Sequence, residues 1–233
     1  LKPGLSQAAF DKGAALIRLG KFQDALLAFD QAIATNSKYV TAYYQKGLTL
    51  VQLERFPEAI TAFEQAAVID PTHTLSLYHR GLTLGRLNRF MEAVSAFDAV
   101  LAISPENTNA RYEKGIALFH LLRYAEAVQE FHEALEQNPA LVNGWLYMGI
   151  SLAHIGQIED ALPAFDKAIA LNPKLAEAYV RKGIVLFTLE RYEEAVSALN
   201  RALDENAKDV YGWCYKGLAL SALGKYEKAI RSF

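Results

Sequence analysis

The hydrophobic and small positions of this chain recur with a fixed step. Gly13, Gly47, Gly81, Gly115, Gly149, Gly183 and Gly217 stand 34 residues apart, and Leu16, Leu50, Leu84, Leu118, Leu152, Leu186 and Leu220 follow in the same register. A second ladder runs through Ala25, Ala59, Ala93, Ala127, Ala161, Ala195 and Ala229, with Phe29, Phe63, Phe97, Phe131, Phe165, Leu199 and Phe233 four residues further on. With the glycine as repeat position 8, repeats begin at Ser6, Val40, Thr74, Thr108, Val142, Ala176 and Val210. Positions 4, 8 and 11 then share one helical face and positions 20, 24 and 27 share another, so each repeat predicts two amphipathic helices. Helix A is expected over positions 1–14 and helix B over 18–30, giving an all-α chain of fourteen helices without strands.

Punctuation agrees with this reading. Asp70-Pro71, Ser104-Pro105, Asn138-Pro139 and Asn172-Pro173 close helix B, because proline lacks the N–H that would continue it and restricts the residue before it. Asn36-Ser37 and Asn206-Ala207 lack the proline, so looser junctions are expected there. Pro163 falls at position 22, inside helix B of repeat 5, which predicts a late start or a kink. Small residues at positions 8 and 20 let the two helices approach, with Phe at 24 and Leu at 11 filling the space beside them.

Through its Trp/Tyr-x3-Gly-x2-Leu, Ala-x3-Phe-x2-Ala and closing-proline pattern, the chain resembles the tetratricopeptide repeat family from Ser6 to Phe233. That resemblance implies one array over residues 1–233, a right-handed α-solenoid of stacked antiparallel helix pairs. Its A helices would line a concave groove holding a peptide or partner segment. Position 7, usually Leu in the family, is Lys12, Lys46, Arg80, Lys114, Lys182 and Lys216, and position 4 of repeat 4 is Arg111. Long basic side chains there can lay their stems on apolar surface and keep the charge in water. Family members that grip a C-terminal carboxylate use Lys and Asn at positions 5, 6 and 9, a set this chain lacks.

Composition narrows the partner classes. Lys plus Arg number 24 against 26 Asp plus Glu, a formal charge of -2, so no global field favours nucleic acid. Cys214 is the one cysteine, which excludes an intrachain disulfide framework and accords with a reducing, cytoplasmic setting. No glycine-rich phosphate loop, nucleophile elbow or paired carboxylates mark an enzyme, and no cofactor is implied. His79, His120 and His154 lie on separate helices, too far apart to converge on one metal. Gln137 to Ile158 contains no Asp, Glu, Lys or Arg, yet its prolines, glycines and amides argue against a membrane span.

Because seven copies share one chain, a feature found in every copy reads as structural and a feature that varies reads as recognition. The basic positions 7 and 16 (Lys21, Arg55, Arg89, Arg123, Arg191, Lys225) run beside acidic position 19 (Asp24, Glu58, Glu92, Glu126, Asp160, Glu194) and are expected to pair. Positions 5, 9 and 12 carry an apolar stripe that either packs between A helices or forms the groove floor. The aperiodic positions are 2, 6 and 13. Candidate binding residues are therefore Tyr44, Tyr78, His79, Arg86, Tyr112, Glu113, His120, Tyr147 and Arg181, which combine aromatic area with varied polar groups. Trp145 and Met148, in the uncharged segment of repeat 5, form a candidate partner patch.

The leading expectation is thus a non-enzymatic scaffold for protein or peptide partners. Two alternatives stand beside it. The chain begins at Leu1 and ends at position 24 of repeat 7, and so reads as an excised piece whose uncapped ends could associate with another copy. The array could equally be the regulatory arm of an enzyme whose catalytic domain lies elsewhere.

Overall fold

The computed structural model describes residues 3–233, and every element among them is helical. The A helices are α1 (Pro3–Arg18), α3 (Val40–Gln52), α5 (Thr74–Arg86), α7 (Thr108–His120), α9 (Val142–His154), α11 (Ala176–Thr188) and α13 (Val210–Ala222). The B helices are α2 (Phe22–Thr35), α4 (Phe56–Ile69), α6 (Phe90–Ile103), α8 (Tyr124–Gln137), α10 (Ile158–Leu171), α12 (Tyr192–Glu205) and α14 (Tyr226–Ile230). The chain divides into two compact units, one running to Ala117 and the other from Leu118 to Phe233. Within each, A and B of a repeat pack together and B packs on the next A, in chain order, as α-solenoid stacking requires.

The hairpin closes where the glycine of helix A meets the position-24 ring of helix B. A Cβ on Gly47 would lie 2.5 Å from Phe63 Cε1, and one on Gly149 would lie 2.7 Å from Phe165 Cε1. Phe29, Phe63, Phe97, Phe131 and Phe165 are fully buried, each filling the space that the missing side chain leaves. Gly47→Ala is expected to destabilise by about 1–3 kcal/mol, since the rigid ring must be displaced. Denaturant unfolding of Gly47→Ala and Phe63→Ala, singly and together, checks this: the double variant should be little worse than Phe63→Ala alone.

Each A–B turn is a Schellman-type stop. The N–H of position 16 donates to the position-11 carbonyl, as Arg55 does to Leu50 at 2.9 Å and Gln157 to Leu152 at 3.0 Å. The residue between is left-handed. Gly20, Gly156 and Gly224 adopt it freely, whereas Glu54, Asn88, Leu122 and Glu190 hold φ of 58–60° at a cost of about 1 kcal/mol each.

The two B–A junctions without proline are closed like the others, against expectation. Asn36 accepts from Lys38 N through its side chain at 3.1 Å and from Tyr39 N through its carbonyl at 3.1 Å. Asn172 makes the same pair of bonds at 3.2 and 3.1 Å beside its proline. The amide side chain sets the turn, and proline adds to it.

Three further expectations are corrected. Helix α10 starts at Ile158, the ordinary repeat position, and continues through Pro163 to Leu171, so of the late start or kink expected there the late start is absent. Ala161, Ala164, Phe165 and Ala168 are all buried, and this packing holds the helix despite one absent N–H. The position-7 cations do not pair with position 19. Lys46, Arg80, Lys114 and Lys182 instead reach Asp30, Glu64, Asp98 and Asp166 on the preceding B helix, at 2.6, 3.2, 2.6 and 2.6 Å. Position 19 makes its hydrogen-bonded contacts to position 16, in the forked pairs Arg55–Glu58, Arg89–Glu92, Arg123–Glu126 and Arg191–Glu194, while Lys46, Arg80 and Lys182 attract Glu58, Glu92 and Glu194 at longer range. Arg111, finally, does more than lay its stem on apolar surface. Its Nη2 donates to the Pro105 carbonyl at 2.7 Å, the bond that Trp145 Nε1 makes to Pro139 and Trp213 Nε1 to Ala207, each at 2.9 Å.

Candidate functional site

The sequence-selected residues fall into separate settings in the two units. In the first, the A helices α3 and α5 present a half-buried aromatic and histidine cluster. The His79 ring lies between three aromatic rings, with centroids 5.6 Å from Tyr44, 6.0 Å from Phe63 and 5.6 Å from Tyr78. Tyr44 also meets His73 at 5.3 Å, while Tyr78 rests on Phe97 at 5.9 Å. Arg86 stands over the Phe56 ring, 5.9 Å from its centroid. The position-5 tyrosines Tyr44 and Tyr78 thus pack on the core rings Phe63 and Phe97 while remaining half-buried.

Burial governs the electrostatics here. Desolvation pushes the Tyr78 hydroxyl up to about 12, with the nearby Glu113 charge adding to it. Burial likewise raises the Glu113 carboxyl. Burial, then Arg86, lowers His79 below 6.5 and keeps it neutral. A histidine whose folded value is depressed contributes stability above its unfolded value, and that contribution is lost as pH falls through 6.5 and below. Glu113 acts with the opposite sign, its raised carboxyl favouring folding as pH falls. Comparison of variants therefore isolates the histidine: thermal melts should show native protein losing stability on acidification from pH 6.5, and His79→Gln losing less. Equal losses would show that His79 protonates freely.

In the second unit two cavities meet on the A helices. One, of about 230 Å³, is lined by Ile150, Ala153, His154, Ile158, Phe165, Arg181, Ile184, Val185 and Thr188. The other, of about 530 Å³, is lined by Ala176, Glu177, Val180, Arg181, Ile184, Asn206, Asp209, Tyr211 and Tyr215. They share Arg181 and Ile184, so one cleft passes over α9, α11 and α13. Of the sequence-selected residues, Arg181 lies at its centre. Glu177, Asp209, Tyr211 and Tyr215 were missed as candidates, although Glu177 and Tyr211 occupy aperiodic position 2 and Tyr215 position 6. Asp209 also caps α13 through a 2.7 Å bond from Gly212 N.

The remaining candidates are less open. Tyr112 and Tyr147 are half-buried, and Tyr147 sits among Phe119 and Phe131 at 5.1 and 6.2 Å. Trp145 and Met148 pack against the core of Leu146, Ile150 and Phe165, so this patch is largely a packing surface. Leu146, Ile150 and Val180 are buried, with Ile150 and Val180 still bordering the cavities, while Ile184 at position 9 of repeat 6 is half-buried. His120 is exposed beside Phe119, at 5.7 Å. Among the described residues no three His, Cys, Asp or Glu side chains converge as a metal site, and no helix is long and apolar enough to cross a membrane.

Stacked two-helix repeats with aromatic and charged A-helix faces define a helical-repeat binding scaffold. The tetratricopeptide repeat model matches residues 10–74, 78–141 and 148–210, and the chain belongs to that family. Among solved structures, YrrB, described as a tetratricopeptide repeat protein with an unusual peptide-binding site, superposes with a TM-score of 0.72 at 23% identity, covering 79% of this chain and 95% of its own. A tetratricopeptide repeat protein from Parabacteroides merdae gives 0.73 at 18% identity over 98% and 91%. MamA from Desulfovibrio magneticus RS-1 gives 0.67 at 19% identity over 73% and 96%. At these identities the likeness is one of fold. No curated protein matches the sequence.

Proposed function

We propose that this protein is a non-enzymatic adaptor whose A-helix faces form a groove for a peptide or partner segment. The observation that carries this reading is the cleft over α9, α11 and α13, whose floor is apolar (Ile150, Val180, Ile184) and whose walls vary in chemistry from repeat to repeat (His154, Glu177, Arg181, Tyr215). A constant floor supplies affinity and variable walls supply selection. The peptide-binding site ascribed to YrrB supports the same assignment for this fold. The exposed faces of the B helices differ: they carry forked Arg–Glu pairs repeated in register, which serve solubility and helix ends more than discrimination.

Titration of a partner recovered with the protein tests this, using Ile184→Ala, Tyr78→Ala and Glu126→Ala variants whose folding is verified by circular dichroism. The A-helix variants should lose more than about 1 kcal/mol of binding if either residue is an anchor, and the B-helix variant should lose little. Loss confined to Glu126→Ala would overturn the proposal and move the site to the B helices.

A further inference from the structure

The two cavities that meet at Arg181 and Ile184 differ in chemistry in a way that specifies the peptide. The smaller, of about 230 Å³, is lined mainly by apolar side chains, Ile150, Ala153, Ile158, Phe165, Ile184 and Val185, with His154, Arg181 and Thr188 completing it, and lies below the size of a small-molecule site, which begins near about 300 Å³. It fits one aliphatic side chain. The larger, of about 530 Å³, sets two carboxylates, Glu177 and Asp209, around two tyrosines, Tyr211 and Tyr215. Arg181, the one cation lining it, is bound 3.2 Å from Glu177 within its own helix. The local formal charge is therefore negative. Asp209 spends one oxygen on the α13 cap, and a carboxylate has a second oxygen with further acceptor capacity. Tyr211 is 68% exposed, leaving its ring face open to a cation.

We infer that this cleft recognises an extended peptide carrying an aliphatic residue and, three positions away, a lysine or arginine. The inference rests on the groove reading above and adds the identity of the side chains selected. The spacing follows from geometry: neighbouring helices pack about 8–10 Å apart, and a peptide extended in the polyproline-II form advances about 3.1 Å per residue with three residues per turn, so that residues three apart share one face. The aliphatic side chain enters the cavity between α9 and α11, and the basic one enters between α11 and α13. A carboxylate-bearing ligand would meet Glu177 and Asp209 and would have to displace Glu177 from Arg181. Acidic peptides are thus rejected by the arrangement that accepts basic ones.

Selection from a random-peptide phage library on the folded protein tests the inference, followed by titration of synthetic peptides built on the enriched sequences. Enrichment of an aliphatic and a basic residue three apart is expected, with lysine-to-alanine replacement in the peptide weakening binding about fivefold and added salt doing the same. Glu177→Gln combined with Asp209→Asn should abolish that preference while leaving the fold intact, because asparagine also caps a helix. Enriched peptides that are neutral or acidic, or whose binding ignores the Glu177→Gln/Asp209→Asn variant and responds only to Tyr78→Ala, would overturn this inference and leave the groove reading standing. Failure to enrich any peptide would overturn both.

Discussion

Phe165→Ala is expected to cost about 3–5 kcal/mol, among the largest losses available to a single substitution in this chain. The ring is 1% exposed and reaches within 2.7 Å of where a Gly149 Cβ would stand. Leu146, Ile150, Leu152, Ala161, Ala168 and Ala178 surround it in one core cluster. Four of those neighbours and partners, Gly149, Ala161, Ala168 and Ala178, are glycine or alanine, so few flexible side chains are present to fill the vacated volume. The transfer and cavity costs therefore add. Denaturant unfolding followed by circular dichroism measures the effect, and hydrogen exchange on α9 and α10 locates it. Because stability in stacked repeats is a sum of local and nearest-neighbour terms, loss of protection should centre on repeat 5 and fade with distance. A loss below about 1 kcal/mol would show that the hairpin collapses onto the hole.

The opposite sign is expected for Pro163→Ala, which should stabilise by about 2 kcal/mol. Alanine is favoured over proline by about 3 kcal/mol in a helix interior. Lost rigidity of the unfolded chain returns about 0.4–1 kcal/mol of that. Pro163 is exposed on α10, so no core contact is forfeited, and the new N–H can donate to the Glu159 carbonyl one turn earlier. The check is a shift of the denaturation midpoint with unchanged slope. An unchanged midpoint would mean that the first turn of α10 already accommodates the ring without strain.

These two residues also mark what the sequence could and could not disclose. Phe165 and Gly149 announce their contact, because both recur at fixed positions in nearly every copy and a periodic small residue opposite a periodic ring has one simple use. Pro163 occurs once. Its intrinsic preference pointed to a helix start, yet four buried positions on the same helix outweigh one missing hydrogen bond. The position-7 cations show a different limit: the sequence reveals that Lys46 and Arg80 belong to a ladder, but not which neighbouring helix faces them. Their partners Asp30 and Glu64 lie sixteen residues earlier, across a junction, rather than on the nearer acidic ladder. Repeat 5 then becomes intelligible, since Met148 replaces the cation where the preceding helix carries His132 in place of the acid. In the cleft over α9, α11 and α13, variability singled out Arg181, which lines both cavities. Asp209 stayed hidden because a junction residue reads as a helix cap, and its place in a cavity depends on how α11 and α13 pack.

The hydrogen bonds of Trp145 and Trp213 carry an experimental consequence. These are the two tryptophans of the chain, and each indole is tied to a carbonyl six residues upstream, at the junction leading into α9 or α13. Lys216 Nζ additionally lies 4.6 Å from the Trp213 ring centre. Emission excited selectively at tryptophan therefore watches two junctions of the second unit, whereas the first unit, to Ala117, carries tyrosine but no tryptophan. An emission-monitored melt and a helicity-monitored melt need not coincide on this protein, and the gap between the curves would report how far the repeats unfold one by one rather than all together.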